Sequence, residues 1–169
     1  MNNIRYVRQH DSMECGISCL SMVCKIFDRE YNTSELYKIC KATKEGVSLK
    51  AITETAQTIG LESVSVRISV KELMTHKLCS ILHWNQNHFV VLYKVKKNRF
   101  YIADPAKGHV KYDLEVFKKH WVSTQSDGEE KGIAMFLEPT PAFYEKKMDE
   151  EPKEERSFNM LICKCSANK

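Results

Sequence analysis

The chain has 169 residues, 43% of them hydrophobic, and carries 26 basic against 22 acidic side chains for a formal charge of +4. At that length roughly 68–70% of the unfolded surface can be buried, enough for one core, so a single domain is the default. Charges of both signs are interspersed rather than gathered into a basic stripe, which sets nucleic acid aside as a partner. No apolar run approaches the roughly 18 residues of a membrane span, and Met1-Asn2-Asn3-Ile4-Arg5 lacks the apolar segment of a secretory signal, so the sequence predicts a soluble chain that is not exported. Seven cysteines, an odd number without an export signal, predict reduced thiols rather than a disulfide framework.

In chain order, residues 14 to about 28 place Ile17, Leu20, Met22, Val23 and Phe27 at helical spacing, so a helix starts near Cys15. A second starts at about Thr33 or Ser34, either of which can cap it, and runs through Leu36 and Ile39. A third spans Ser48 to Ile59, with Leu49, Ile52, Ala56 and Ile59 on one face and Gly60 as its stop. Beyond Gly60 the pattern shifts to short runs rich in β-branched and aromatic residues: 61–68, 79–84, 88–95, 99–103 and 132–137. Lys96-Lys97-Asn98 reads as a tight hairpin turn, and residues 113–120 as a short helix with Leu114 and Phe117 inward. Helices first and an antiparallel sheet second predict an α+β fold. Between Glu145 and Arg156 ten of twelve residues are charged, a composition that predicts a solvated linker after a domain spanning 1–144.

The chemistry gathers in three places. Cys15, at the first turn of its helix, sits where unpaired N–H groups and the helix dipole favour a thiolate, the nucleophile of acyl transfer. Glu14 beside it opposes that charge. Taken alone, Cys15 reads first as an ordinary buried thiol, and Cys19 and Cys24 on the same helix read as core. His88 opens the run HFVVLY, where a strand end can hold a general base. A hairpin turning at 96–98 brings His88 opposite residue 105, beside Asp104, which can fix the imidazole tautomer and stabilise the imidazolium. Gln9, six residues before Cys15, can supply an amide to an oxyanion hole together with the Cys15 N–H. His83 can share the cleft, whereas His10, His76, His109 and His120 read as surface residues. Cys163-Lys164-Cys165 has no partner pair, so no metal site is predicted.

These residues stand in blocks that resemble the double-glycine leader peptidase domain of peptidase-containing ABC transporters, which process and export bacteriocins and related peptides. The nucleophile block resembles QHDSMECGISCLSMV, the histidine block ILHWNQNHFVVLY and the aspartate block RFYIADPAKG, and the likeness extends through GIAMFLEP. Glu14 departs from the aspartate often found there. The resemblance implies a papain-like cysteine peptidase with Cys15, His88 and Asp104 as triad and Gln9 in the oxyanion hole. It further implies a precursor peptide whose leader binds as an amphipathic helix and ends in Gly-Gly or Gly-Ala, with cleavage after that pair coupled to export. Trp84 and Asn85 are candidates for the cleft wall, Trp84 equally a core aromatic. No cofactor is implied for the peptidase, and ATP belongs only to the full transporter. Transmembrane and ATPase domains are the implied partners, at the cytoplasmic face of the bacterial membrane, with 145–169 as the junction. The chain then reads as an excised peptidase domain or a free-standing relative. Rival expectations are a non-catalytic cargo-binding domain, a different acyl-transfer enzyme on the same scaffold, and a redox sensor.

Overall fold

A computed structural model describes residues 4–40, 46–76, 78–126 and 128–145. Asp11 starts the ordered N-terminal turn: its carboxylate accepts the Met13 N–H at 2.7 Å, and a single 3-10 turn (Ser12–Glu14) runs directly into α1 (Cys15–Ile26). The predicted apolar stripe proves too narrow, because every residue of α1 from Cys15 to Cys24 is buried. A helix buried all round is the axis of a core rather than its lid. Two further helices pack on it. α2 (Thr33–Ile39) is capped not by Thr33 or Ser34 but by Asn32, which forms a reciprocal capping box with Glu35. α3 (Leu49–Thr58) is capped by Ser48 and ends before Gly60, whose φ of +92° is open to glycine.

From Leu61 onward the chain builds one antiparallel sheet from β1 (Leu61–Ser69), β2 (Ser80–Trp84), β3 (His88–Lys96), β4 (Arg99–Asp104), β5 (Gly108–Asp113), β6 (Thr124–Ser126) and β7 (Glu129–Pro139). The order is β1-β7-β2-β3-β4-β5, with β6 on β7. Alternation along the central strands divides the core in two. Ile81, Phe89, Val91, Ala103 and Met135 join α1 and α3 in one cluster. Leu82, Val90, Leu92, Phe100, Ile102 and Ala134 join the second cluster on the opposite face, under α4 (Val70–Thr75) and α5 (Leu114–Trp121). There the Phe100 and Phe117 rings stack at 3.9 Å and the Trp121 indole N–H donates to the Ile133 carbonyl at 3.0 Å.

The predicted helices-then-sheet order holds, with α4, β5 and β6 added. α6 (Pro141–Glu145) returns to the helical side, where Phe143 is fully buried. A Cβ on Gly60 would meet the Phe143 backbone N at 2.6 Å, so glycine is also what lets this return seat. The charged stretch expected as a linker lies, after Glu145, outside the described residues. Among the described residues no helix is long and apolar enough to cross a membrane.

Candidate active site

Cys15 is the first residue of α1 and 4% exposed, at a helix start where N–H groups lack partners further back in the helix. Its neighbour Gly16 sets the approach of that helix to the sheet. A Cβ at Gly16 would lie 2.7 Å from Ile52 Cδ1 and 3.4 Å from the Phe89 ring. Phe89 follows His88, so this close contact also brings the start of α1 onto the strand that carries His88. The Glu14 carboxylate is turned back onto the His10 N–H at 3.0 Å.

The β3–β4 hairpin delivers the other two groups. It closes on Lys97 and Asn98, both left-handed with φ of 49° and 56°, as a two-residue turn with Lys96 opposite Arg99. Between Leu92 and Lys94 the register slips by one, with Tyr93 as the extra residue. That bulge draws the far end of β3 one position closer to Asp104. His88 Nε2 and Asp104 Oδ1 stand 2.8 Å apart, with the two side chains 19% and 2% exposed. The same Oδ1 accepts the Ala106 N–H at 2.9 Å and the Asp104 carbonyl accepts the Lys107 N–H at 3.1 Å, so the turn into β5 fixes the carboxylate independently of the imidazole.

With Nε2 committed to the aspartate, Nδ1 is the nitrogen left for the thiol, and Cys15 lies close enough to His88 to act on its charge. Burial by itself pushes the His88 pKa down, but the hydrogen bonds and charges of Asp104 and Cys15 outweigh it and raise the value to about 9. Burial likewise opposes a charge on Asp104, yet the His88 and Ala106 hydrogen bonds hold its carboxyl below the usual carboxylate value. The arrangement favours an imidazolium held against the Asp104 carboxylate. Three other thiols are of another kind: burial pushes Cys19 well up, Cys24 to about 12 and Cys79 to about 11, consistent with unreactive packing cysteines.

Gln9 is brought to the same turn by its backbone, since its N–H donates to the Pro105 carbonyl at 3.1 Å. The Tyr6 hydroxyl donates to that carbonyl at 2.7 Å, a tether that no pattern in the sequence signals. The Gln9 side-chain oxygen is buried and finds no partner among the described residues. Leaving such an acceptor unpaired costs about 1–3 kcal/mol, so this oxygen is not held by the fold.

The two cleft-wall candidates part company. Trp84 is 1% exposed in the second cluster, against Tyr112, Phe117 and His120, and so is a core aromatic rather than a cleft wall. Asn85 is exposed at the β2–β3 turn, but its side-chain oxygen engages His120 Nδ1 at 2.8 Å. His83 pairs across the strands with Phe89, ring centroids 5.3 Å apart, on the face toward α1, and burial lowers its pKa. Among the described residues no group of three or more His, Cys, Asp or Glu side chains is placed to hold a metal, and Cys163 and Cys165 lie outside those residues.

Comparison with known proteins places this geometry. The model of the Peptidase C39 family matches residues 3–125. The chain is 34% identical over 102 residues to the colicin V secretion/processing ATP-binding protein CvaB of Escherichia coli, covering 60% of this chain and 15% of that protein. To the lactococcin-G-processing and transport ATP-binding protein LagD of Lactococcus lactis subsp. lactis it is 26% identical over 141 residues, 80% of this chain and 19% of that one. The chain therefore spans about a fifth or less of the length of these relatives. Among solved structures, a double glycine motif protease from an AMS/PCAT transporter, in complex with the leader peptide, superposes with a TM-score of 0.72 at 29% identity, covering 82% of this chain and 93% of that one. The peptidase domain of Streptococcus ComA shares the fold, with a TM-score of 0.68 at 24% identity over 82% of this chain and 100% of that domain. With helices packed on an antiparallel sheet as in those papain-like domains, and the family model matched over most of its length, the chain belongs to the Peptidase C39 family.

Proposed function

We propose that this chain is a cysteine endopeptidase that removes the leader from a precursor peptide by cutting after a Gly-Gly or Gly-Ala pair, with Cys15, His88 and Asp104 as the triad. The observation that carries the proposal is the 2.8 Å His88–Asp104 pair, with Cys15 beside the same imidazole at the start of α1. The Cys15 thiolate attacks the carbonyl carbon of the second small residue, and the developing oxyanion takes hydrogen bonds from the Gln9 amide NH2 and the Cys15 N–H. The His88 imidazolium gives its proton to the departing amine, which leaves as the new N-terminus of the mature peptide. His88, now neutral, takes a proton from water as that water attacks the thioester, and the leader departs with a free C-terminal carboxylate. Asp104 keeps the imidazole in one tautomer throughout.

The curated relatives are secretion and processing ATP-binding proteins, and a solved neighbour was captured with a leader peptide. By that likeness residues 1–144 act as the peptidase domain and 145–169 as a junction. Transmembrane and ATPase regions of a parent exporter are then the partners, ATP serves only the export step, and the site faces the cytoplasm. The leader docks as an amphipathic helix on an apolar surface, its last residues extended into a cleft that passes only small side chains.

The test is incubation of the purified chain with peptides carrying an amphipathic leader and a Gly-Gly or Gly-Ala junction, read by mass spectrometry beside Cys15→Ala. Cleavage after the second small residue by the wild type alone is expected. Binding of such leaders without cleavage would favour the cargo-binding alternative.

A further inference from the structure

The β2–β3 connection, residues 85–87, ends one residue before His88, and Trp84 opposite His88 is the last pair of the ladder. Asn85 and Gln86 both occupy the left-handed region, with φ of 49° and 62°. Two consecutive non-glycine residues there are disfavoured, and such a turn persists only where its surroundings hold it. Inside the turn the Asn87 N–H donates to the Trp84 carbonyl at 3.2 Å and closes the loop. The stronger hold comes from the end of α5. The Asn85 N–H donates to the His120 carbonyl at 2.9 Å, and the Asn85 side-chain oxygen lies 2.8 Å from His120 Nδ1. The His120 ring in turn stacks on Trp84, centroids 5.2 Å apart and 17° from parallel. Its helix is anchored by the Trp121 bond to β7 and the Phe117–Phe100 stack.

One residue, His120, thus grips Asn85 through backbone and side chain and braces the Trp84 that pairs with His88. Sequence patterning assigned His120 to the surface and Asn85 to the cleft wall, and neither assignment explains this double contact. We propose that His120 and Asn85 form a latch that positions His88: they fix the β2–β3 turn so that the imidazole stays aligned between Asp104 and Cys15. The latch touches none of the reacting atoms, so both members are positioning residues. This inference rests on the triad reading above.

A small misplacement of a catalytic group costs roughly 10- to 100-fold in rate. His120→Ala and Asn85→Ala are therefore expected to lower kcat by roughly 10-fold or more while KM for the leader peptide stays within about twofold. The double variant should be no slower than the slower single, because both remove one interaction. Asn85→Asp, which retains an oxygen acceptor for His120, should recover most of kcat. His120→Phe keeps an aromatic ring on Trp84 without the hydrogen bond and should be as slow as His120→Ala, which guards against a packing defect. Wild-type kcat in folded His120→Phe, or additive losses in the double variant, would overturn the latch. Cys15→Ala and His88→Ala run in the same assay separate the two ideas: if either still cleaves, the triad reading fails, whereas if both are dead and the latch variants are unimpaired, only the latch fails.

Discussion

His88 is pulled in two directions, and the outcome sets the working pH range. Burial disfavours the imidazolium, but Asp104 and Cys15 favour it more, and the pKa rises from 6.5 to about 9. The charged form is therefore complete at neutral pH and lost as pH rises through about 9, and kcat/KM should fall on its alkaline side there. Because Asp104 raises that pKa, Asp104→Asn should move the alkaline limb to lower pH as well as cut turnover. A limb that stays in place would remove Asp104 from contact with the reacting histidine. The same group contributes stability that is full below 6.5 and declines as pH climbs toward about 9. Gln9→Ala should lower turnover by about 10²–10³, the cost of one oxyanion donor, and an unchanged rate would take Gln9 out of the site. Cys15→Ala should abolish cleavage with leader binding nearly intact, as measured by calorimetry, since the thiol offers little surface. The helix start at Cys15 and the meeting of His88 with Asp104 were legible because helix starts and hairpin arithmetic are local. Trp84 was harder to place, since being next but three to a site residue says little when successive strand residues face opposite sides of a sheet.

The elements were legible where their signals were strong and misjudged where a tertiary contact decided. α4 carries its own announcement, Ser69 and Glu72 in a reciprocal capping box, but lies between two strands in a stretch too short to show periodicity. β5 alternates between exposed and half-buried residues, so it lacks the apolar run that marks a strand. α1 looked amphipathic because Ser18, Ser21 and the cysteines count as weakly polar, yet all are buried, Ser21 donating to the Tyr31 carbonyl at 2.6 Å. The close approach of α1 to α3 and β3 turns on Gly16. Gly16→Ala forces a Cβ to within 2.7 Å of Ile52 Cδ1 and should destabilise the domain by roughly 1–3 kcal/mol in denaturant melts. Ile52→Val deletes that Cδ1 and should recover part of the loss in the double variant. Full additivity of the two would mean the contact does not set the packing.

At the scale of the molecule, one antiparallel sheet separates two cores, and the candidate site lies where the start of α1 meets the strand ends that carry His88 and Asp104. Nucleophile and base thus belong to different halves of the fold, and their alignment depends on how α1 seats against β3. That is why Gly16, the Tyr93 bulge and the tether of residues 6–9 to Pro105 matter although none is a reacting group. The α+β order was legible from the change of pattern after Gly60, and α5 from its own periodicity, whereas α4 was not, because so short a helix gains its stability from the sheet it covers. The most direct measurement of the central claim is site-resolved alkylation of the full chain, with the rate at each of the seven cysteines followed by mass spectrometry in wild type and His88→Ala. A thiolate paired with His88 predicts that Cys15 is labelled first and that its labelling slows in the variant. Equal rates at all cysteines, or a Cys15 rate indifferent to His88, would contradict the triad.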